Sequence, residues 1–132
     1  MCYTSPMIPD EVRKNTGKGG EEIAAQFLER KGYTVIEMNY RKKWGEIDII
    51  AEKDGTVRFL EVKTVSRESE DYRPEELLHM SKLRKVARTA GLYMEAHRDD
   101  REYQIDAVTV IMNYETRTAR CHLFEQALES NL

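Results

Sequence analysis

Two acidic residues and one lysine interrupt apolar, strand-like runs in the middle of the chain. Asp48 stands in an isoleucine-rich run, and Glu61 stands between two apolar residues, two positions before Lys63. Acids in core-like strands are almost never fully buried without a partner. A divalent metal ion is one such partner, so the pattern indicates a candidate metal-dependent active site.

An Asp-Gly dipeptide at 54–55 predicts that the two runs form a β-hairpin with a two-residue turn. Counting outward from this turn places Asp48 opposite Glu61 and Glu46 opposite Lys63. Opposed residues share a face of the sheet, with Cβ atoms about 4.5 to 5.5 Å apart. The register therefore predicts two adjacent carboxylates, which repel each other unless a proton, a cation or a metal relieves them.

The same residues permit a purely structural interpretation. Lys63 and the opposed Glu46 could neutralise an internal charge cluster, because structural ion networks perturb charges as active sites do. The Glu-x-Lys element is weak by itself, since residues 29–31 repeat it on the exposed side of a predicted helix. Spacing alone leaves both interpretations open.

A third acid, Glu21, stands at the start of a helix predicted over 20–31. Ala24, Ala25 and Leu28 follow it at helical spacing, which places Glu21 on the side that faces the sheet. An acid in the first turn is also favoured by the helix dipole without any ligand. Glu21 is therefore either part of the site or a helix-stabilising residue.

The elements that must position these residues follow from hydrophobic periodicity and turn signals. After the first helix, the sequence predicts strands at 33–40, 46–52 and 56–65, a helix of about 20 residues starting at Pro74, and strands at 103–112 and 117–124. The order αβββαββ predicts an α/β or α+β fold with a central mixed five-stranded sheet flanked by helices. Residues 1–15 are expected to be an irregular lead-in to a single domain over 16–132. The polar segment 66–73 is expected to be a loop over the site or an ordinary surface connection.

Composition narrows the functional class. The 132 residues are 40% hydrophobic and 34% charged, with a net charge of −3, so a nucleic acid would have to be held by local patches. No apolar run is long enough for a transmembrane helix, and the start lacks a secretory apolar region. With two cysteines, at positions 2 and 121, no disulfide framework is expected, and the cytoplasm is the expected compartment.

Several motifs resemble those of the bacterial YraN-like family, over about residues 17 to 127. They are Gly17-x-x-Gly20-Glu21-x-x-Ala24-Ala25-x-x-Leu28, Gly45-Glu46-Ile47-Asp48, Phe59-Leu60-Glu61-Val62-Lys63 and Lys82-x-x-Lys85. That family is similar to the PD-(D/E)xK nuclease superfamily and, within it, to archaeal Holliday-junction resolvases. The resemblance implies a restriction-endonuclease-like core in which Asp48, Glu61 and Glu21 bind Mg²⁺ or Mn²⁺ and Lys63 assists the attacking water.

Two departures stand out, one from the superfamily and one from the family. Ile47 stands where the superfamily has the proline that gives it its name, a residue that the family commonly lacks, and Gln104-Ile105-Asp106 stands where the family tends to have Arg-Phe-Asp. The second departure removes an arginine that could contact a phosphate or form an ion pair.

The expected function is a metal-dependent endonuclease that hydrolyses DNA, including branched or damaged DNA. Candidate nucleic-acid contacts lie in the turn between the first two predicted strands and on the second predicted helix. These basic and aromatic residues are Arg41, Lys42, Lys43, Trp44, Lys82 and Lys85. Exposed basic turns and solvated helix faces have the same composition. The alternatives are a nucleic-acid-binding module without catalysis and an interaction protein with a structural ion cluster. The resolvase resemblance also implies a homodimer.

Overall fold

A mixed β-sheet with one helix on each face forms the framework of the protein. The structure, a computed structural model, describes residues 2–5, 16–66 and 73–128. The elements in chain order are β1 (Cys2–Ser5), α1 (Thr16–Arg30), β2 (Thr34–Lys42), β3 (Gly45–Lys53), β4 (Thr56–Ser66), a 3₁₀ helix (Pro74–Leu77), α2 (Met80–Ala96), β5 (Tyr103–Asn113) and β6 (Thr118–Phe124).

The strands lie in the order β1-β6-β5-β4-β3-β2. The central pair, β4 and β5, is parallel because α2 connects the two strands as a crossover, and all other neighbours are antiparallel. This arrangement confirms the predicted α+β class with a mixed sheet. It is consistent with a restriction-endonuclease-like core.

The sheet has six strands rather than the predicted five. Residues 2–5, expected to be irregular, pair with β6 through Tyr3 opposite Cys121 and its neighbours. A four-residue edge strand held by main-chain hydrogen bonds has no hydrophobic period long enough to reveal it. The rest of the expected lead-in, 6–15, and positions 67–72 of the expected loop lie outside the described residues.

The second predicted helix is interrupted. Pro74 does begin a helical turn, but that 3₁₀ helix ends at Leu77, and Leu78 and His79 are extended before α2 begins. The interruption lets both Leu78 and Met80 pack against the core under α2. Burying two apolar side chains is favourable enough to outweigh a continuous helix at this point.

Each helix covers its own apolar core. Phe27 and Leu28 of α1 pack against one face of the sheet, and Leu83, Val86 and Tyr93 of α2 pack against the other. The apolar side chains of the central strands alternate between these two cores, as the period of a strand requires. No helix within the described residues is long and apolar enough to cross a membrane.

Candidate active site and metal centre

The hairpin of β3 and β4 has the predicted register. Asp54 and Gly55 both have positive φ, 53° and 77°, as a type I′ turn requires. The strands then pair residue by residue from Lys53 and Thr56 out to Ile49 and Leu60. The ladder ends there, one pair before the predicted Asp48–Glu61 pair.

The chain changes direction at Asp48. Ile47 packs on the α2 side and Ile49 on the α1 side, although residues two apart in a regular strand share a face. The N–H of Val62 donates a hydrogen bond to Oδ2 of Asp48 at 2.8 Å. This side-chain bond satisfies a strand N–H at the point where the two strands stop pairing, and it fixes the carboxylate beside β4.

The three predicted acids do converge, with side chains that are each 12 to 13% exposed. Burial, the hydrogen bond to Asp48 and the charge of Asp48 raise the pKa of Glu61 to about 8. Burial and the charge of Asp48 likewise raise the pKa of Glu21 to about 7. Asp48 is therefore the ionised centre of the cluster, while Glu61 is mostly protonated and Glu21 about half protonated at neutral pH.

Opposing effects act on Asp48 itself. Burial acts to raise the pKa of Asp48, but hydrogen bonds from Glu61 and the Val62 N–H, together with the charge of Arg41, lower it below its ordinary value. An anion stabilised by donors in a partly buried position is well suited to hold a cation.

A close helix–strand contact positions Glu21. A Cβ on Gly20 would lie 1.9 Å from Oγ1 of Thr64, so only glycine permits α1 to approach β4 this closely. Because Glu21 is the next residue, the Gly20–Thr64 contact places its carboxylate at the open end of the β3–β4 ladder. The start of α1, at Gly20 and Glu21, thus packs directly behind the three acids.

Arg41 occupies a different place from the one expected of a nucleic-acid contact. Its guanidinium lies against the acids, 3.4 Å from Asp48, 3.9 Å from Glu21 and 3.8 Å from Glu46. Arg41 is the backbone partner of Glu46 in the β2–β3 ladder, so Glu46 is associated with this arginine and not with Lys63 as predicted. The cation that offsets the acids therefore comes from β2.

Asn39 is a site residue that the sequence reasoning missed. Its φ of 56° is in the left-handed region, which asparagine tolerates better than most residues. Its Oδ1 accepts a hydrogen bond from Arg41 Nη2 at 3.2 Å, and its side chain also hydrogen-bonds Glu21. The sequence did contain a signal for Asn39. A two-residue turn at 43–44 predicts that Asn39 lies opposite Asp48.

The acids form the floor of an open cleft of about 580 Å³. Lys63, Lys82 and Lys85 also line it, and Lys82 Nζ lies 4.0 Å from Glu61 Oε2. Lys63 is exposed and forms no ion pair with any residue that the structure describes. The cleft thus combines an acidic floor with basic walls. His79 and Ser81, which were not predicted, line the same cleft.

The remaining predicted contacts lie outside this cleft. The ammonium of Lys42 lies 5.3 Å from the centroid of the Tyr40 ring, and Lys43 is exposed in the β2–β3 turn. Trp44 lines a neighbouring groove with Lys82 and Lys85. The structure therefore separates the predicted Arg41–Trp44 cluster into an arginine among the acids and a turn beside a second groove.

In 2–5, 16–66 and 73–128 no group of three or more histidine, cysteine or acidic side chains is arranged to hold a metal ion. The chemistry of Asp48 and Glu61 nevertheless fits Mg²⁺, which is commonly held by one or two carboxylates together with waters and substrate phosphate. The shared hydrogen bond between these acids shows that their charges require a proton or a cation.

A second charged cluster surrounds Asp106, beside position 104, where the family tends to have an arginine. Gln104 Nε2 donates to Oδ1 of Asp106 at 2.8 Å, and the Arg58 guanidinium lies 3.6 Å from Oδ2. Arg58 also bonds Glu125 at 3.0 Å and the Tyr33 hydroxyl at 3.2 Å. The Gln126 N–H and the Tyr33 hydroxyl also donate to Asp106, so this buried acid has donors from several elements beside the guanidinium of Arg58.

Sequence comparisons show which proteins the chain resembles. The sequence model described as "Uncharacterised protein family UPF0102" matches residues 20–110. A UPF0102 protein of Campylobacter fetus is 38% identical over 97 residues, covering 74% of this chain and 84% of the relative. One of Caldicellulosiruptor saccharolyticus is 34% identical over 116 residues, covering 87% and 98%. One of Alkaliphilus metalliredigens is 46% identical over 84 residues, covering 63% and 72%. The chain therefore belongs to the UPF0102 family, the YraN-like family whose motifs its sequence carries.

Proposed function

We propose that this protein is a metal-dependent endonuclease that hydrolyses phosphodiester bonds of DNA, including branched or damaged DNA. The observation that carries the proposal is the convergence of Asp48, Glu61 and Glu21 on the floor of a cleft with lysines on its walls. Acids that hold a divalent cation and lysines that hold phosphates are the two requirements of metal-assisted phosphodiester hydrolysis.

Asp48 and Glu61 are the residues proposed to hold Mg²⁺ or Mn²⁺, with Glu21 completing or supporting the site. When bound, the ion would activate a water and neutralise charge that develops on the phosphoryl oxygens. The Val62 N–H and Arg41 keep Asp48 ionised and oriented for this role. The ion would take the place of the protons on Glu61 and Glu21 and offset the burial and the charge of Asp48 that raise the pKa of both acids.

The lysines act on the substrate. Lys63 extends from β4 two residues after Glu61, and its ammonium can orient the attacking water or donate to a phosphoryl oxygen. Lys82 and Lys85, from the first turns of α2, can each hold a backbone phosphate along the cleft wall. The cleft is open, so a strand can lie across it.

The compartment and the assembly follow from this proposal. A chromosomal DNA substrate would place the protein in the cytoplasm, where the buried thiol of Cys121 stays reduced. Two copies related by a two-fold axis would suit a branched substrate with two equivalent strands. Light scattering with and without a four-way junction tests the homodimer.

The deciding experiment measures cleavage of labelled single-stranded, duplex, flap and four-way-junction DNA with Mg²⁺, Mn²⁺ or EDTA. Wild type is compared with Asp48→Ala and with Glu29→Gln, a control that removes an exposed acid of α1 that lines neither the cleft nor the neighbouring groove. Cleavage that needs the metal and falls at least about a hundredfold in Asp48→Ala, but less than about threefold in Glu29→Gln, supports the nuclease.

Two other results would identify the alternatives. DNA binding without cleavage under any condition would indicate a binding module. An interaction protein with a structural ion cluster would neither bind DNA nor gain thermal stability from Mg²⁺ or Mn²⁺, whereas a true metal site is stabilised by mass action.

A further inference from the structure

We propose that the groove beside Trp44 binds an unpaired base of the DNA strand next to the cleavage site, so that the substrate must carry a single-stranded segment there. The proposal deepens the proposed function and rests on it for the identity of the ligand. The groove has a volume of about 350 Å³, and its lining comprises Trp44, Gly45, Glu46, Lys82, Lys85, Val86 and Arg88.

Trp44 presents an aromatic surface to solvent. Its side chain is among the large apolar groups left exposed, at 51%, in the two-residue turn between β2 and β3. Within the described ranges its ring forms no stacking contact. An exposed indole beside cations is the arrangement with which proteins stack single-stranded bases, each stack contributing about 1 to 3 kcal/mol.

The position of Trp44 relative to α2 is fixed by the next residue. A Cβ on Gly45 would lie 1.9 Å from Oγ1 of Thr89, so the hairpin backbone touches α2 at a point where only glycine fits. Thr89 is itself buried and donates a hydrogen bond to the carbonyl of Lys85. The turn and the helix therefore form the two sides of one defined groove.

The groove continues into the acidic cleft. Lys82 and Lys85 line both the groove and the cleft. Lys82 lies where the two meet, with its Nζ 4.0 Å from Glu61. Asp48 lies three positions after Gly45 in β3, which corresponds to roughly 10 Å of extended strand. A DNA strand whose scissile phosphate lies at Asp48 can thus place a neighbouring nucleotide beside Trp44.

Charge in the groove favours a polyanion. Lys82, Lys85 and Arg88 face one acid, Glu46, which lies 3.8 Å from Arg41. The cations can bind backbone phosphates while the indole stacks on the base. Together they would recognise a strand by its backbone and by the π-face of an unpaired base. Paired bases in a duplex are already stacked and do not present that face, so the groove discriminates against intact duplex.

The test uses the fact that Trp44 is the only tryptophan in the chain. The intrinsic fluorescence of Asp48→Asn protein is titrated in EDTA with oligothymidylate and with an intact duplex of matched length, so that no cleavage occurs. Stacking predicts that single-stranded DNA quenches the emission at least about twofold and that the duplex does not.

Affinity measurements complete the test. Trp44→Ala should weaken binding of single-stranded DNA about tenfold, Trp44→Phe should restore most of it, and duplex binding should change less than twofold. Ile36→Ala, which trims another exposed apolar side chain on β2, is the matched control and should leave both affinities unchanged.

The outcomes separate this inference from the proposed function. Equal quenching by both DNAs, or an equal loss of both affinities in Trp44→Ala, would overturn the base site. Metal-dependent cleavage without any quenching would also overturn it while the nuclease stands. Selective quenching by a protein that never cleaves would support the base site and refute the nuclease.

Discussion

The sheet carries two clusters in which an acid is removed from solvent, and they differ in what surrounds the acid. Asp106 is fully buried, and its carboxylate accepts hydrogen bonds from Gln104 and the Gln126 N–H beside the guanidinium of Arg58. Asp48 lies beside two other acids at the edge of a cleft. The first acid is enclosed by donors from the protein, although burial still raises its pKa, whereas the second shares its surroundings with two other acids and an opening to solvent.

This difference separates a structural acid from a candidate functional one. Arg58 bonds Tyr33 and Glu125 as well as facing Asp106, so that cluster joins β4, β5 and the segment after β6. Around Asp48 the protein instead places two further acids and leaves an opening to solvent. Arg41 and Lys82 offset part of their charge, and the raised pKa values of Glu61 and Glu21 favour a further proton or cation at this place.

Isosteric replacement of each acid distinguishes the two clusters, and Asp106→Asn is expected to have the largest effect on stability. Both oxygens of Asp106 face donors, so Asp106→Asn places an amide N–H₂ against a donor and leaves Arg58 undercompensated. We expect Asp106→Asn to lower the free energy of unfolding by about 3 kcal/mol, measured by urea denaturation.

Asp48→Asn is the matched comparison. Its amide oxygen can still accept the Val62 N–H, and the charge of Asp48, which helps to raise the pKa of Glu61 and Glu21, is removed. Its stability should therefore change by less than about 1 kcal/mol. A larger loss in Asp48→Asn than in Asp106→Asn would show that the comparison is inverted and that the site cluster is the structural one.

A smaller effect is expected where a glycine positions the site. Gly20→Ala would place a methyl group against Thr64, and the displacement of α1 should cost about 2 kcal/mol despite the better helix propensity of alanine. Gly91→Ala is the control, since a Cβ there meets only the Tyr103 hydroxyl at 3.5 Å. We expect Gly91→Ala to raise thermal stability and Gly20→Ala to lower it, as measured by calorimetry. The same sign for both would contradict the close contact.

The sequence predicted the site where local turn chemistry determined the geometry. Asp54-Gly55 fixes the β3–β4 register, and from that register the proximity of Asp48 and Glu61 follows. The helical period correctly placed Glu21 on the sheet side of α1. In each case a short stretch of chain contains all the information required.

Features that depend on distant contacts could not be predicted in this way. The left-handed backbone of Asn39 and the inward position of Arg41 depend on acids contributed by β3 and α1. The break at Leu78 depends on the shape of the core beneath it. A helical period reports which residues are apolar, but not whether one unbroken helix can bury them all.

The smallest expected effect concerns pH, and its sign follows from the raised pKa values. In the metal-free folded protein the pKa of Glu61 is about 8 and that of Glu21 about 7, whereas both are near 4.5 in the unfolded chain. The folded state therefore binds more protons between these values, so the stability gained by holding them is complete below about pH 4.5 and is lost as the pH rises through 7 to 8. The shifts of both acids point the same way.

Replacement of Glu61 sharpens this prediction. Glu61→Gln cannot ionise, so at pH 8.5 the metal-free variant should exceed wild type in free energy of unfolding by on the order of 1 kcal/mol, with little difference at pH 5. Denaturation in EDTA across this range measures the difference, and Glu29→Gln, which removes an exposed acid outside the cluster, controls for net charge. Mg²⁺ should raise wild-type stability at pH 8.5 but not that of Glu61→Gln, because the cation takes the place of the lost protons. Parallel pH profiles for wild type and Glu61→Gln would mean that Asp48 and Arg41 already satisfy the cluster, which would make it equivalent to the one around Asp106.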